Sequence, residues 1–228
     1  MPSARLIEQN STPPRGSEDA VDRIASAVTQ GILAGTFVPG QHLPEGDLSR
    51  KLSVSRGSLR EAMKRLAAEN IVTLAPYRGA FVEILNRRAA LELMDICELL
   101  ACLAARSVAA AELSPGAKAD MARAARGLLD QTNQFGLLES WRAFYTMVLA
   151  LNGNQELIRT FPLARSDLVR SQIVRFLSGA QWGWLTRNLQ DVADAIIDGN
   201  PRQAERAMRA HFLVVREAVA RLPADAPC

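Results

Sequence analysis

Three cations stand where a helix would line them up. Arg56, Arg60 and Lys64 recur at i, i+4 and i+8, which places them in one stripe along a helix face. Ser55 directly precedes them and suits an N-cap, putting Arg56, Gly57 and Ser58 in the first turn. There, free N–H groups and the helix dipole favour phosphate, and recognition-helix side chains reach base edges. Gly57 lets the backbone approach a groove closely. Arg78 and Gly79 follow between two short apolar runs, Ile71 to Leu74 and Ala80 to Ile84, and so sit at the tip of a small hairpin. The chemistry these residues offer is contact with a nucleic-acid backbone and with base edges, not bond-breaking.

A basic helix face alone is ordinary solvated surface. Here it comes with an apolar register on the other side. Leu48 and Leu52 share one face of a first short helix, Val54 fills a turn, and Leu59, Met63 and Leu66 form the inner stripe of the next. That spacing packs two short helices across a tight turn, a helix-turn-helix. Glu45 and Asp47 count against phosphate contact unless they cap the preceding helix. Charge is concentrated in the same place: Arg50 to Val82 holds seven basic and two acidic residues, a local +5 against +3 for all 228 residues.

The elements that must hold this stripe are helical. Val21, Ile24, Val28 and Ile32 predict a helix from Ser17, as a possible N-cap, to Leu33, ended by Gly35 and Pro39-Gly40. Short helices over Glu45 to Leu52 and Arg56 to Glu69 lead into the hairpin, and His42 falls in a loop as a surface residue. Beyond Leu85, Asn86 caps a helix to Ala111. Further segments run over Pro115 to Thr132, Leu137 to Leu151, Gln155 to Leu177, Trp182 to Asp198 and Pro201 to Leu222. Pro162 interrupts or bends the fourth of the six, and Gly199-Asn200-Pro201 is a stop and restart. The fold class is therefore mainly α: a winged helix-turn-helix over 18–85 (three helices plus a hairpin), then an antiparallel bundle of about six helices over 86–222. Residues 1–17 read as a disordered tail and 223–228 as a second tail.

Composition sets outer bounds. Hydrophobic residues are 48% and charged residues 22% of the chain, as in a soluble globular protein. No apolar run reaches the roughly 18 residues of a membrane span, and no signal-peptide core precedes the first helix. Cys97, Cys102 and Cys228 suit neither a disulfide framework nor a zinc cluster, which fits a reducing cytoplasm. No Ser/His/Asp or Cys/His set and no phosphate-cradling glycine loop offers an enzymatic chemistry.

Glu45, Leu48, Leu52, Val54-Ser55-Arg56, Arg60-Glu61-Ala62, Leu66, Glu69, Ile71-Val72 and Arg78-Gly79 resemble the winged helix of the GntR family. The later half resembles the FCD sensing domain of its FadR-like subfamily, with Phe144, Gly153-Asn154, Ala195-Ile196, Gly199 and Arg209-Ala210-His211 at matching positions. The resemblance implies a homodimer on double-stranded DNA with a palindromic operator, contacted through Ser55, Arg56, Gly57, Ser58, Arg60, Lys64, Arg78 and Gly79. It also implies a small-molecule effector in the bundle that alters operator affinity, more commonly by relieving repression. Gly57 stands where the family commonly has Thr.

Many FCD domains hold a divalent metal with one Asp and three His, and the metal holds a carboxylate effector. The matching stretch here is Trp141-Arg142-Ala143-Phe144-Tyr145, so Trp141 and Tyr145 replace the first Asp and His. Leu189 replaces the second His, and only His211 remains. An arginine often found on the first bundle helix is Cys97. One imidazole and a phenol do not make a competitive metal site, so no metal and no other cofactor is expected. Cys97, Trp141, Tyr145, Leu189 and His211 would instead line a more apolar effector cavity for an aromatic or apolar molecule, oriented by the Tyr145 hydroxyl and the His211 ring. Arg175 and Arg187 are candidates to supply charge for an acidic group there, and at most one of Trp182 and Trp184 lines it. The alternatives are a cavity filled by Trp and Tyr that senses nothing, an architectural DNA-binding protein, and a helical-bundle enzyme.

Overall fold

The computed structural model describes residues 15–222; the expectations for residues 1–14, for the 223–228 tail and for Cys228 lie outside them. Helix α1 (Arg15–Leu33) is followed by strand β1 (His42–Leu43), helices α2 (Glu45–Leu52) and α3 (Arg56–Ala68), and strands β2 (Val72–Ala75) and β3 (Gly79–Val82). Ile24, Val28 and Ile32 are buried along α1, and Leu59, Met63 and Leu66 along α3. Residues 15–17, expected in a tail, are helical, so Ser17 lies inside α1 rather than at its cap. Small residues are tolerated there because first-turn N–H groups lack intrahelical partners in any case.

The expected hairpin is present, with Thr73 opposite Phe81 and Ala75 opposite Gly79. It gains a third strand that periodicity does not reveal: β1 pairs antiparallel with β3, His42 opposite Phe81 and Leu43 opposite Ala80. His42 is therefore a strand residue, exposed but with its ring 4.8 Å from that of Phe81. At the wing tip Gly79 has φ +87°, and a Cβ there would come 3.0 Å from the His42 Nε2 atom. Both the left-handed backbone and the close approach call for glycine.

The second half comprises α4 (Arg87–Ala110), α5 (Pro115–Leu129), α6 (Gln134–Asn152), α7 (Gln155–Thr160), α8 (Leu163–Ile173) with one further 3-10 turn, α9 (Gly179–Ile197) and α10 (Pro201–Val219). Asn86 caps α4, its side chain accepting from the Ala89 N–H. Pro162 breaks the fourth expected segment into α7 and α8, giving seven helices here among the described residues. Gly199, at φ +67°, ends α9, and Asn200 caps α10 with Pro201 in its first turn. α4, α10, α9, α5 and α6 pack each against the next in a closed ring, while α8 touches α4, α6, α10 and also α1. Every residue from Ser166 to Ile173 is buried. One helix is thus both the plug of the bundle and the floor beneath α1.

Candidate nucleic-acid interface and sensor cluster

The recognition segment is built from its cap outward. Ser55 is extended, and its hydroxyl accepts from the Ser58 N–H at 3.0 Å, fixing the first turn of α3. Arg56, Gly57, Arg60 and Lys64 are exposed along that helix. Arg56 has no ion-pair partner among the described residues. Glu45 and Asp47 do not cap a preceding helix: they form the first turn of α2, and each meets an arginine. Glu45 accepts from Arg60 Nε at 2.9 Å, which orients the guanidinium while its two terminal nitrogens make no hydrogen bond among the described residues. Lys64 pairs with Glu61 at 2.8 Å, an exposed contact of little energetic weight. At the wing, Arg78 lies with its guanidinium carbon 5.5 Å from the Phe81 ring centroid, a cation–π contact that stiffens an exposed side chain. Tyr77, at the outermost turn position with φ +61°, is fully exposed.

The five residues singled out in the bundle are all buried. Trp141 and Tyr145 share a face of α6, and the His211 ring of α10 stands 5.7 Å from Trp141, edge-on, and 6.2 Å from Tyr145. Leu189 lies one turn beyond Leu185, whose backbone hydrogen bonds to the imidazole. Cys97 is buried on α4, its thiol pushed up to about 12 by burial against the pull of Arg170 and Arg165. Burial likewise drives His211 down to about 3, with Arg170 adding to the fall and the Leu185 backbone opposing it. The Tyr145 hydroxyl donates to no stronger acceptor than the Met208 sulfur at 3.9 Å, and burial raises its pKa against the pull of Arg170. Trp141 Nε1 and His211 Nδ1 are buried without a hydrogen-bond partner.

The donor set does not fit a metal. Trp141 carries no lone pair for one, Leu189 has no donor atom, and the buried Tyr145 phenol and Cys97 thiol both resist deprotonation; one neutral imidazole is left. To the five residues expected from sequence the structure adds a charge: Arg170 of α8 lies among them, 4% exposed. Its guanidinium carbon is 4.5 Å from the Tyr145 ring centroid and 5.9 Å from that of Trp141. Arg175 and Arg187, the cations suggested by sequence, are exposed. Trp184 is also exposed and Trp182 only partly buried. Arg170 escaped notice because it sits among Ser166, Asp167 and Gln172 without a polar stripe; its i−3 carboxylate, Asp167, was the available signal.

Comparison with known proteins identifies both halves of the chain. Residues 20–82 match the family described as bacterial regulatory proteins, gntR family, and residues 92–213 match the FCD domain. The chain is 27% identical, over 87% of its length and 84% of the relative's, to an HTH-type transcriptional regulator in an unstable DNA locus of Streptomyces ambofaciens. It is 30% identical to the Nta operon transcriptional regulator of Aminobacter aminovorans, over 67% of this chain and 70% of that one. Its fold is similar to that of a GntR transcriptional regulator from Rhodococcus sp. RHA1, with TM-score 0.75 at 20% identity over 89% and 98% of the two chains.

Proposed function

The chain belongs to the GntR family of bacterial regulatory proteins and carries an FCD domain, and on that premise we propose a specific role: a sequence-specific repressor, acting as a homodimer on a palindromic operator, whose affinity changes when a small aromatic or apolar metabolite enters the bundle. Proteins of this family are transcription regulators, not enzymes. No helix of the described residues is long and apolar enough to cross a membrane.

One observation carries the DNA-binding assignment: the Ser55-capped helix α3 exposes Arg56 in its first turn and Arg60 one turn on, and the hairpin that follows exposes Arg78 at its tip. Arg56 and Arg60 reach bases or phosphates, Lys64 and Arg78 the flanking backbone, and Ser55, Gly57, Ser58 and Gly79 allow the close approach. Dimerisation is supported by α4, where Ile96, Leu99 and Leu103 recur along one face and are exposed at 50%, 63% and 40%. Two winged helices fixed on such a dimer engage two half-sites at once. A ligand that prefers the arrangement with the wrong spacing then weakens binding. The close contact of Trp141 with His211 favours a second reading, in which the aromatic cluster is simply filled and the regulator ignores metabolites.

The test uses an operator selected from a random-sequence DNA pool. Arg56→Ala and Arg60→Ala are each expected to weaken specific binding by about tenfold or more, with the melting temperature and dimer unchanged. Unaltered affinity in both variants would overturn the assignment of α3.

A further inference from the structure

Donors outnumber acceptors among the polar groups of the sensor cluster, the unpartnered His211 Nδ1 being the exception. The Trp141 N–H has no partner, the Tyr145 O–H meets only a thioether, a weak acceptor, and Arg170 adds a full positive charge. A guanidinium buried this deeply needs a negative charge beside it. Asp167, one turn back on α8 and 1% exposed, provides it. Arg170 donates to one Asp167 oxygen and, at 2.9 Å, to the Ser166 hydroxyl. The other Asp167 oxygen accepts from Arg142 of α6.

Arg142 faces the other way. Its side chain is 27% exposed, and it lines a cleft of about 340 Å³ with Asp22 and Thr29 of α1, Arg65 of α3 and Glu69 at the C-cap of α3. In that cleft Arg65 is ion-paired to both Asp22 and Glu69. A single carboxylate therefore joins a cation stacked on the sensor aromatics to a cation lying beneath the recognition helix.

We infer that Asp167 stands in for the charge of the ligand: a small aromatic anion entering the cluster takes Arg170 from Asp167, and Asp167, left with Arg142 alone, draws that arginine away from the cleft under α1 and α3. The inference rests on the bundle being the effector domain. It narrows the ligand from aromatic to aromatic and anionic, its ring lying against Trp141 and Tyr145 and its charge on Arg170 and the Trp141 N–H. It also supplies the coupling, because an exchange of ion-pair partners has two discrete arrangements, and the ligand favours one of them. No covalent step is involved.

The full-length protein and the selected operator test both halves. Asp167→Asn removes the stand-in, and Arg142→Gln cuts the outer link while sparing Arg170; both are expected to change operator affinity in the same direction by about fivefold or more. Benzoate, 4-hydroxybenzoate and phenylacetate at millimolar concentration serve as probes against their neutral amides. At least one acid should raise the melting temperature and shift DNA affinity, the amides should not, and Arg170→Gln should lose the response. The proposal is overturned if both variants bind DNA within about twofold of the parent, if the amides act like the acids, or if no acid acts. Should Asp167→Asn fail to fold, the partly exposed Arg142→Gln decides the coupling. Failure of the parent chain to select any DNA sequence would instead refute the regulator assignment itself.

Discussion

Gln172 closes both hydrogen bonds of a residue 87 positions away: its Nε2 donates to the Leu85 carbonyl at 3.0 Å, and its Oε1 accepts from the Leu85 N–H at 3.2 Å. Leu85 is the last residue before the cap of α4, and it is buried. A side-chain amide of α8 therefore does for the interdomain connection what a neighbouring β-strand would do, satisfying donor and acceptor together.

Replacing Gln172 by Leu keeps the volume roughly constant but orphans two buried backbone groups. Each orphan is expected to remove about 1–3 kcal/mol of stability, read as a lower urea midpoint. Gln172→Glu retains an acceptor for the Leu85 N–H, and amide exchange at Leu85 should separate the two variants.

Ser55→Ala removes the side-chain partner of the Ser58 N–H and is expected to reduce stability by about 1 kcal/mol. Operator affinity should fall as well, because the frayed turn carries Arg56. Ser55→Asn restores a capping oxygen and should recover most of both losses, measured by thermal melting and fluorescence anisotropy.

The neutral imidazole of His211 gives a signed dependence on pH. In the unfolded chain it takes up a proton near 6.5, whereas in the folded chain it holds out to about 3. Between those values the unfolded state binds more protons, so this group's contribution to stability is complete above pH 6.5 and is lost as pH falls toward 3. The slope approaches about 1.4 kcal/mol per pH unit while only the unfolded chain is protonated. Urea melts of the parent and of His211→Leu, compared from pH 7 to pH 4, should show the parent losing stability relative to the variant as the pH drops.

Leu99 is 63% exposed at the centre of the apolar stripe on α4. Leu99→Glu is expected to convert the homodimer into monomer in sedimentation velocity and to weaken binding to a two-half-site operator far more than to an isolated half-site. A dimer that survives this substitution places the seam elsewhere.

Local patterns were legible in the sequence, and long-range partnerships were not. Ser55, the stripe Leu59–Met63–Leu66, Pro162 and Gly199-Asn200-Pro201 each act within a turn or two, so spacing alone locates α3 and the breaks between helices. β1 has only two residues, too few to show an alternating period. In α8, Ser166, Asp167, Arg170 and Gln172 look like solvent-facing residues because what buries them is remote: Arg142 lies 25 positions away and Leu85 87 positions away. Trp141 and Tyr145, at i and i+4, could be placed on one face of α6 and do meet His211 there. The charge beside them could not be placed without the fold.

α8 plugs the ring and also underlies α1, so the chain has no interior that is independent of its output. A substitution that tightens the packing around Ser166 to Ile173 will make the protein hardier and, in the same stroke, raise the threshold of signal it answers to. Variants selected only for heat resistance should accumulate deaf regulators, and those selected for sensitivity should be fragile ones.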